Sequence, residues 1–369
     1  MSNLKHIDWW SVELGNVEIE NLKSTLNSGF PNEGPVTNEL EKHFKEYFGV
    51  KHAILTTSGT VAIYLGLKAL GIGPGDRVGV PNLTFIATAN AVSLCGASPV
   101  LIDVREESLC IDHKIVEAEH LFSPLSAVIP VHVSGRSANT SELLNTLSRL
   151  KIPFVEDAAE AFGSINPITR CYLGTEGIVG AFSFSPNKII TSGQGGLVVT
   201  NSDQLASSIR ELKDQGRPQR GSGGDDLHNS VGFNFKYTDL QASVLLGQLT
   251  KLDSRKLHLI HVYEQYRELL NSGSGLMNFQ TKQGEFPLWP EICVQNRPQL
   301  EQKLTENNIG FRRIWHPLSS QIPYKNDQKK FRISEKVSRS TIWLPSAFNL
   351  DEDKLKRITA TINDFRKAP

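Results

Sequence analysis

The chain lacks several features that would place it in a specialised class of protein. Its four cysteines, Cys95, Cys110, Cys171 and Cys293, form no CxxC pair and no metal-ligand spacing, so we expect reduced thiols and no metal site. The ten histidines show no HxxxH spacing either. Lys plus Arg and Asp plus Glu balance at 39 each, which gives no electrostatic reason to expect nucleic acid or an anionic membrane as partner.

Long apolar runs and repeats are also absent. No stretch of 18 apolar residues occurs, so we expect no membrane span. The first residues lack the apolar core of a signal peptide, and we therefore expect a cytoplasmic protein. The hydrophobic fraction of 39% and the charged fraction of 21% are typical of a globular protein with a sizeable core.

Short apolar strands alternate with helices through the first half of the chain. We predict strands at 52–56, 77–80, 100–104, 127–132 and 153–157, and helices that include 38–48 (capped by Thr37), 61–70, 86–94 and 141–150. This alternation indicates an α/β fold with a mostly parallel sheet covered on both faces. A break in composition at 271–275 favours a second, smaller α+β region. We predict a large domain at 1–250, with the N-terminal segment included, and a small C-terminal domain at 251–369.

Several polar residues fall at or just after predicted strand ends, where parallel sheets bind their ligands. Residues 57–60 (Thr-Ser-Gly-Thr) lead from a strand into a helix, and a helix N-terminus suits a phosphate; an ordinary N-cap is the alternative. Asp157 ends an apolar strand, where it could equally cap the next helix. Residues 310–317 form a polar-aromatic segment of the kind that lines pockets.

One lysine is distinguished by its surroundings. Lys188 follows the apolar strand 180–184 and Pro186, and it precedes two isoleucines, a loop of small residues and the strand 197–200. Lysine is rarely buried without a reason, and an amine among apolar neighbours is a candidate Schiff-base nucleophile. The alternative is a surface lysine in a hairpin loop.

Together these segments resemble the DegT/DnrJ/EryC1/StrS family of sugar aminotransferases. The resemblance extends from about Gly29 to Phe365 and is carried by five segments in the right order, namely 57–60, 81–85, 156–161, 183–196 and 232–241. It implies the aspartate-aminotransferase-like fold of the type I pyridoxal 5′-phosphate (PLP) enzymes, and PLP as cofactor.

The resemblance also implies a role for each matching residue. Lys188 would hold the cofactor and move protons, and Asp157 would pair with the pyridine nitrogen. Other cofactor contacts would come from Ser58, Gly59, Thr60, Phe85, Glu160, Ser183 and Asn234. Asn234 would reach the phosphate from the neighbouring subunit, which implies a homodimer with a shared active site. Substrate contacts would come from Phe30, Asn187, Trp315 and His316.

The implied reaction moves an amino group from L-glutamate to a nucleotide-linked keto-deoxysugar. Residues 156–161 (Glu-Asp-Ala-Ala-Glu-Ala) look closest to perosamine-synthase-like members, which act on a 4-keto-6-deoxyhexose for surface polysaccharides such as lipopolysaccharide. Residues 235–237 (Phe-Lys-Tyr) depart from the family's more usual Tyr-Arg-Met and leave the sugar open. The alternatives are a 3-keto sugar aminotransferase, a dehydratase, which would carry histidine at the position of Lys188, and a non-catalytic PLP-binding regulator.

Overall fold

The computed structural model describes residues 5–218, 227–326 and 331–367. Within these ranges the strands are β1 (His52–Thr56), β2 (Arg77–Pro81), β3 (Ser98–Ile102), β4 (Ala127–Val128), β5 (Val155–Asp157), β6 (Val179–Ser183), β7 (Gly196–Thr200), β8 (Glu291–Cys293), β9 (Arg312–Arg313) and β10 (Thr341–Trp343). The α-helices are α1 (Asn16–Asn27), α2 (Pro35–Phe48), α3 (Gly59–Ala69), α4 (Ala87–Leu94), α5 (His113–Phe122), α6 (Ser141–Leu150), α7 (Asp203–Lys213), α8 (Asp239–Leu249), α9 (Leu252–Leu269), α10 (Arg297–Glu306), α11 (Arg332–Ser340) and α12 (Glu352–Lys367).

The first seven strands form the large sheet. Hydrogen bonds order them β3-β2-β4 and β5-β6-β7-β1, and parallel bridges from Val128 to Phe154 and from Val131 to Asp157 join the two parts. Among the described strands of this sheet, β7 runs opposite to the other six, because its connection from β6 contains no crossover helix. The α/β fold with a mostly parallel sheet is confirmed.

Helices cover both faces of this sheet. On one face α2 packs its aromatic side chains on β6, with the rings of Phe48 and Phe182 stacked at 4.8 Å. On the other face α3 lies close to the sheet because it has a glycine at the contact. A Cβ atom at Gly66 would come within 2.8 Å of Val179. This close approach fixes the N-terminus of α3 beside the ends of β5 and β6.

Two local predictions are corrected by the structure. The strand predicted at 127–132 ends at Val128, because Pro130 has no N–H to donate to the ladder, and only an isolated bridge from Val131 to Asp157 follows. Thr37 does not cap the second helix. Helix α2 begins at Pro35 after Gly34, and the buried carboxylate of Asp239 accepts hydrogen bonds from the backbone N–H groups of Gly34 and Thr37.

The C-terminal region is a smaller α+β unit. Its antiparallel sheet has the order β8-β10-β9, and α9, α10 and α12 share a buried cluster with it. The N-terminal segment also packs there, since Ile7 pairs with Ile309. The domain division at residue 250 stays a prediction. In the described part of the chain, no helix combines the length and the apolar character needed to cross a membrane.

Candidate active site

A cavity of about 310 Å³ opens at the carboxyl ends of β1, β5 and β6. Its size lies within the range of small-molecule sites. Ten of the thirteen residues predicted from the sequence line it: Ser58, Gly59, Thr60, Phe85, Asp157, Glu160, Ser183, Asn187, Lys188 and Trp315. Parallel strands bring these residues together because their carboxyl ends meet at one edge of the sheet.

One wall of the cavity is built to receive an anion. Helix α3 starts at Gly59, and Ser58 caps it by accepting a hydrogen bond from the N–H of Val61 at 3.3 Å. Only glycine fits at 59, because a Cβ atom there would approach Cβ of Ser183 to 2.8 Å. The helix N-terminus and the hydroxyl groups of Thr60 and Ser183 therefore face the same space, and such a combination favours a phosphate.

Asp157 supplies a buried carboxylate to the same cavity. It is 5% exposed and accepts hydrogen bonds from Thr88 Oγ1 at 2.7 Å and from the N–H of Ala159 at 3.2 Å. Burial raises the pKa of Asp157, and these hydrogen bonds and the charge of Lys188 oppose the rise only in part. A cationic N–H group bound beside this carboxylate would stabilise its ionised form.

Lys188 lies against a second buried acid. Its Nζ is 3.5 Å from Oε1 of Glu160 and 4.9 Å from the ring centroid of Trp289. The lysine side chain is 11% exposed and the glutamate side chain 7%. The surface-loop alternative for Lys188 is therefore wrong, because its amine points into the cavity and has apolar and acidic neighbours.

Arg312 is a site residue that the sequence reasoning missed. It lines the cavity, and its guanidinium carbon lies 5.3 Å from the ring of Trp9 and 5.8 Å from that of Trp343. The next residue on β9, Arg313, instead makes a two-point ion pair with Glu301, at 2.8 and 2.6 Å. The polar-aromatic character of the segment 310–317 indicated a pocket wall, but sequence alone did not show which of its two arginines faces the cavity.

Three predicted residues do not line this cavity. Asn234 is exposed and pairs through its backbone with Asp214. Phe30 is 50% exposed on the loop before α2. His316 lines a neighbouring pocket, which shares Phe85, Arg312 and Trp315 with the cavity.

The residues present fit PLP. The cavity combines three features: a phosphate site at Gly59, where there is no room for a Cβ atom, the buried carboxylate of Asp157 and the nearly buried Lys188. The aromatic side chain of Phe85, which is 53% exposed, forms part of its wall. In the described ranges, no group of three or more His, Cys, Asp or Glu side chains could hold a metal ion. The fold and the site define the class of fold-type-I, PLP-dependent transferases.

Comparison with known proteins identifies the family. The model of the DegT/DnrJ/EryC1/StrS aminotransferase family matches residues 12–363, and the chain belongs to this family. It is 36% identical over 339 residues to a GDP-perosamine synthase of Caulobacter vibrioides, with 88% of each chain covered. It is 29% identical over 371 residues to a GDP-perosamine synthase of Escherichia coli O157:H7, with 98% of this chain and 99% of the relative covered.

A solved structure agrees with this result. The crystal structure of a DegT DnrJ EryC1 StrS aminotransferase from Brucella abortus matches with a TM-score of 0.88 and 29% identity, and 95% of each chain is covered. The predicted family, the aspartate-aminotransferase-like fold and the class of enzyme, a PLP-dependent nucleotide-sugar aminotransferase, are confirmed.

Proposed function

We propose that this enzyme transfers the amino group of L-glutamate to a nucleotide-linked 4-keto-6-deoxyhexose, giving a 4-amino sugar for surface polysaccharide such as lipopolysaccharide. The observation that carries the proposal is the convergence of Lys188, Asp157 and the N-terminus of α3 on one cavity. The names of the two relatives, both GDP-perosamine synthases, support a 4-amino sugar as the product.

PLP, when bound, supplies an electron sink that makes the amino-group transfer possible. In this proposal Ser58, Gly59, Thr60 and Ser183 hold its phosphate, and Phe85 stacks on its ring. Asp157 keeps the ring nitrogen protonated, because a carboxylate at hydrogen-bond distance favours the cationic form of its partner. Lys188 would hold the cofactor at rest, and its free amine Nζ would then accept and return the proton that the amino donor gives up.

The substrates occupy the open side of the cavity. Arg312 binds a carboxylate of the amino donor, because its planar guanidinium has no carboxylate partner among the described residues and matches a carboxylate in shape. Asn187 and Trp315 contact the sugar nucleotide from the cavity wall, and His316 contacts it from the neighbouring pocket.

Asn234 and Phe30 act in a second copy of the chain. Both are exposed and neither lines the cavity of its own chain, which supports a homodimer with shared active sites.

The absorbance spectrum of the PLP-loaded protein tests the first half of the reaction. We expect L-glutamate alone to shift the cofactor band of the wild type, and K188A to show no such shift. The shifted enzyme is then offered a panel of GDP-, UDP- and dTDP-linked 3-keto and 4-keto sugars, and the aminated product is identified by mass. A wild type that binds PLP but responds to no amino donor would support the regulatory alternative. Amination of the 3-keto sugars and not of the 4-keto sugars would support the alternative of a 3-keto sugar aminotransferase.

A further inference from the structure

The pair formed by Lys188 and Glu160 has an unusual charge environment. Glu160 Oε1 faces the lysine Nζ at 3.5 Å, and Oε2 accepts a hydrogen bond from the N–H of Ser134 at 2.9 Å. The two side chains are nearly buried, so bulk water does little to stabilise either charge. In such surroundings the ionisation of one partner depends on the ionisation of the other.

The other charged groups around Glu160 do not replace the lysine. Asp157 lines the same cavity and adds negative charge. Glu291 also acts on Glu160, but its carboxylate is paired with Arg136 at 2.9 Å. Burial raises the pKa of Glu160, the charge of Lys188 and the Ser134 N–H lower it, and the two neighbouring carboxylates raise it further. Within the described residues, Lys188 is therefore the cation on which the ionised form of Glu160 depends.

In every catalytic cycle of an aminotransferase, Lys188 must lose its positive charge. Lys188 must lose its ammonium proton before its nitrogen can form a covalent bond or accept a proton as a base, because only the neutral amine has a free lone pair. An ionised Glu160 would then be a buried carboxylate without a counter-ion, which is strongly unfavourable. The carboxylate can avoid this state by taking up a proton at the moment when the lysine loses its charge.

We propose that Glu160 is the proton store of Lys188. One proton passes from the ammonium Nζ to carboxylate Oε1, which leaves a neutral amine with a free lone pair and a neutral carboxylic acid. The return of the proton restores the ion pair. No proton is lost to solvent and the total charge of the pair stays at zero in both states. This role rests on the proposed function, because it assigns to Lys188 the work of a base.

A direct test needs neither cofactor nor substrate. Infrared difference spectra of the apoprotein report the carbonyl stretch of a protonated carboxylic acid, which shifts in D₂O. We expect K188A to gain absorption of this kind near neutral pH, and we expect the Glu160 component to be lost in K188A/E160Q and kept in K188A/D157N. Absence of the band in K188A, or its loss only with Asp157→Asn, would overturn the proposal, because Glu160 would then remain a fixed anion.

A kinetic arm separates this role from a merely structural one. The rate of the donor half-reaction is measured against pH for the wild type, E160Q, E160D and E18Q. Glu18 is buried and forms an ion pair with the partly exposed Lys251 at 2.9 Å outside the cavity, so E18Q is the matched control.

We expect E160Q to lose about 10²-fold in rate and to change the shape of the pH profile, and we expect E160D to recover part of the rate and E18Q to keep the wild-type profile. An unchanged rate and profile in E160Q would reject the proton store even if the infrared band is found. Failure of the proposed function is distinct, since the wild type itself would then not respond to glutamate.

Discussion

Glu156 and Asp157 are adjacent on β5, and both are buried, but their pKa values move in opposite directions. Burial alone would raise the pKa of Glu156, yet hydrogen bonds outweigh burial and lower it. Burial raises the pKa of Asp157 because fewer donors reach it. Successive side chains of a strand point to opposite faces. The donors to Glu156 are His132 Nε2, Asn139 Nδ2 and the backbone N–H groups of Gly174, Glu176 and Gly177.

We predict opposite stability changes for E156Q and D157N in the apoprotein. E156Q should destabilise by about 2–4 kcal/mol, because an amide cannot accept from all five donors and some stay unsatisfied. D157N should stabilise by about 1 kcal/mol, because it removes a carboxylate whose burial is unfavourable, while it abolishes the donor half-reaction. Thermal and urea unfolding measure both changes. Equal destabilisation by the two substitutions would contradict this assignment.

The pH dependence of the two effects follows from the directions of the pKa shifts. A lowered pKa means that the stabilisation by Glu156 is present above its unfolded pKa and is lost as pH falls through its folded pKa. The raised pKa of Asp157 means that stability is lost as pH rises through its folded pKa. The deficit of E156Q should therefore shrink only in acid, once the pH falls below the unfolded pKa of glutamate. The advantage of D157N should grow as the pH rises above the unfolded pKa of aspartate. Melting temperatures measured from acid to neutral pH test both trends.

Arg312 and Arg313 provide a second matched pair. R312Q should raise the glutamate concentration for half-maximal rate by about 10–100-fold, because a charge-assisted hydrogen bond to a carboxylate is lost. R313Q loses only its partly exposed pair with Glu301 and should change the glutamate response little. If R312Q left the glutamate response unchanged and weakened the response to the nucleotide sugar, Arg312 would instead be assigned to binding of the nucleotide sugar.

Mixed subunits test whether the active site is shared. K188A and N234D are each expected to be nearly inactive, the second because a carboxylate would repel the cofactor phosphate. Co-expressed in equal amounts, they should recover about a quarter of the wild-type activity, because about half of the dimers are mixed and each of these has one complete site. Activity no higher than that of the separate parents would show that Asn234 does not complete its partner's site.

All five tryptophans form one cluster beside the cavity, linked by ring contacts of 4.9–6.5 Å between neighbours. Trp10 Nε1 donates to the carbonyl of Pro186 at 3.1 Å, two residues before Lys188. Trp9 Nε1 is buried without a partner among the described residues. W10F should therefore lose about 1 kcal/mol of stability and bind PLP more slowly, and W9F should lose less stability. Chemical unfolding and the quenching of tryptophan fluorescence by PLP measure these effects.

Much of the fold and site could be predicted from local sequence. The alternation of apolar strands and helices, the Ser58–Thr60 turn and the position of Lys188 all depend on backbone preferences and on near neighbours in the chain. The predicted strand 52–56 and the helix 141–150 agree with β1 and α6. Helices α5 and α11 were not predicted. The N-terminus of α11 donates to the distant carboxylate of Asp103, which local sequence does not show, whereas the cap of α5 by Asp112 is a local signal that sequence reasoning missed.

The sequence alone determined which kinds of group the site has: a lysine after a strand, a carboxylate at a strand end and small residues at a helix start. Only the tertiary structure decided which arginine of β9 faces the cavity, which of two adjacent acids receives five donors, and that Asn234 and Phe30 lie away from their own cavity. The physical reason is distance along the chain. The residues that bury a side chain, share its hydrogen bonds or carry a neighbouring charge are often more than a hundred positions away in the chain. Local propensity does not indicate which residues these are.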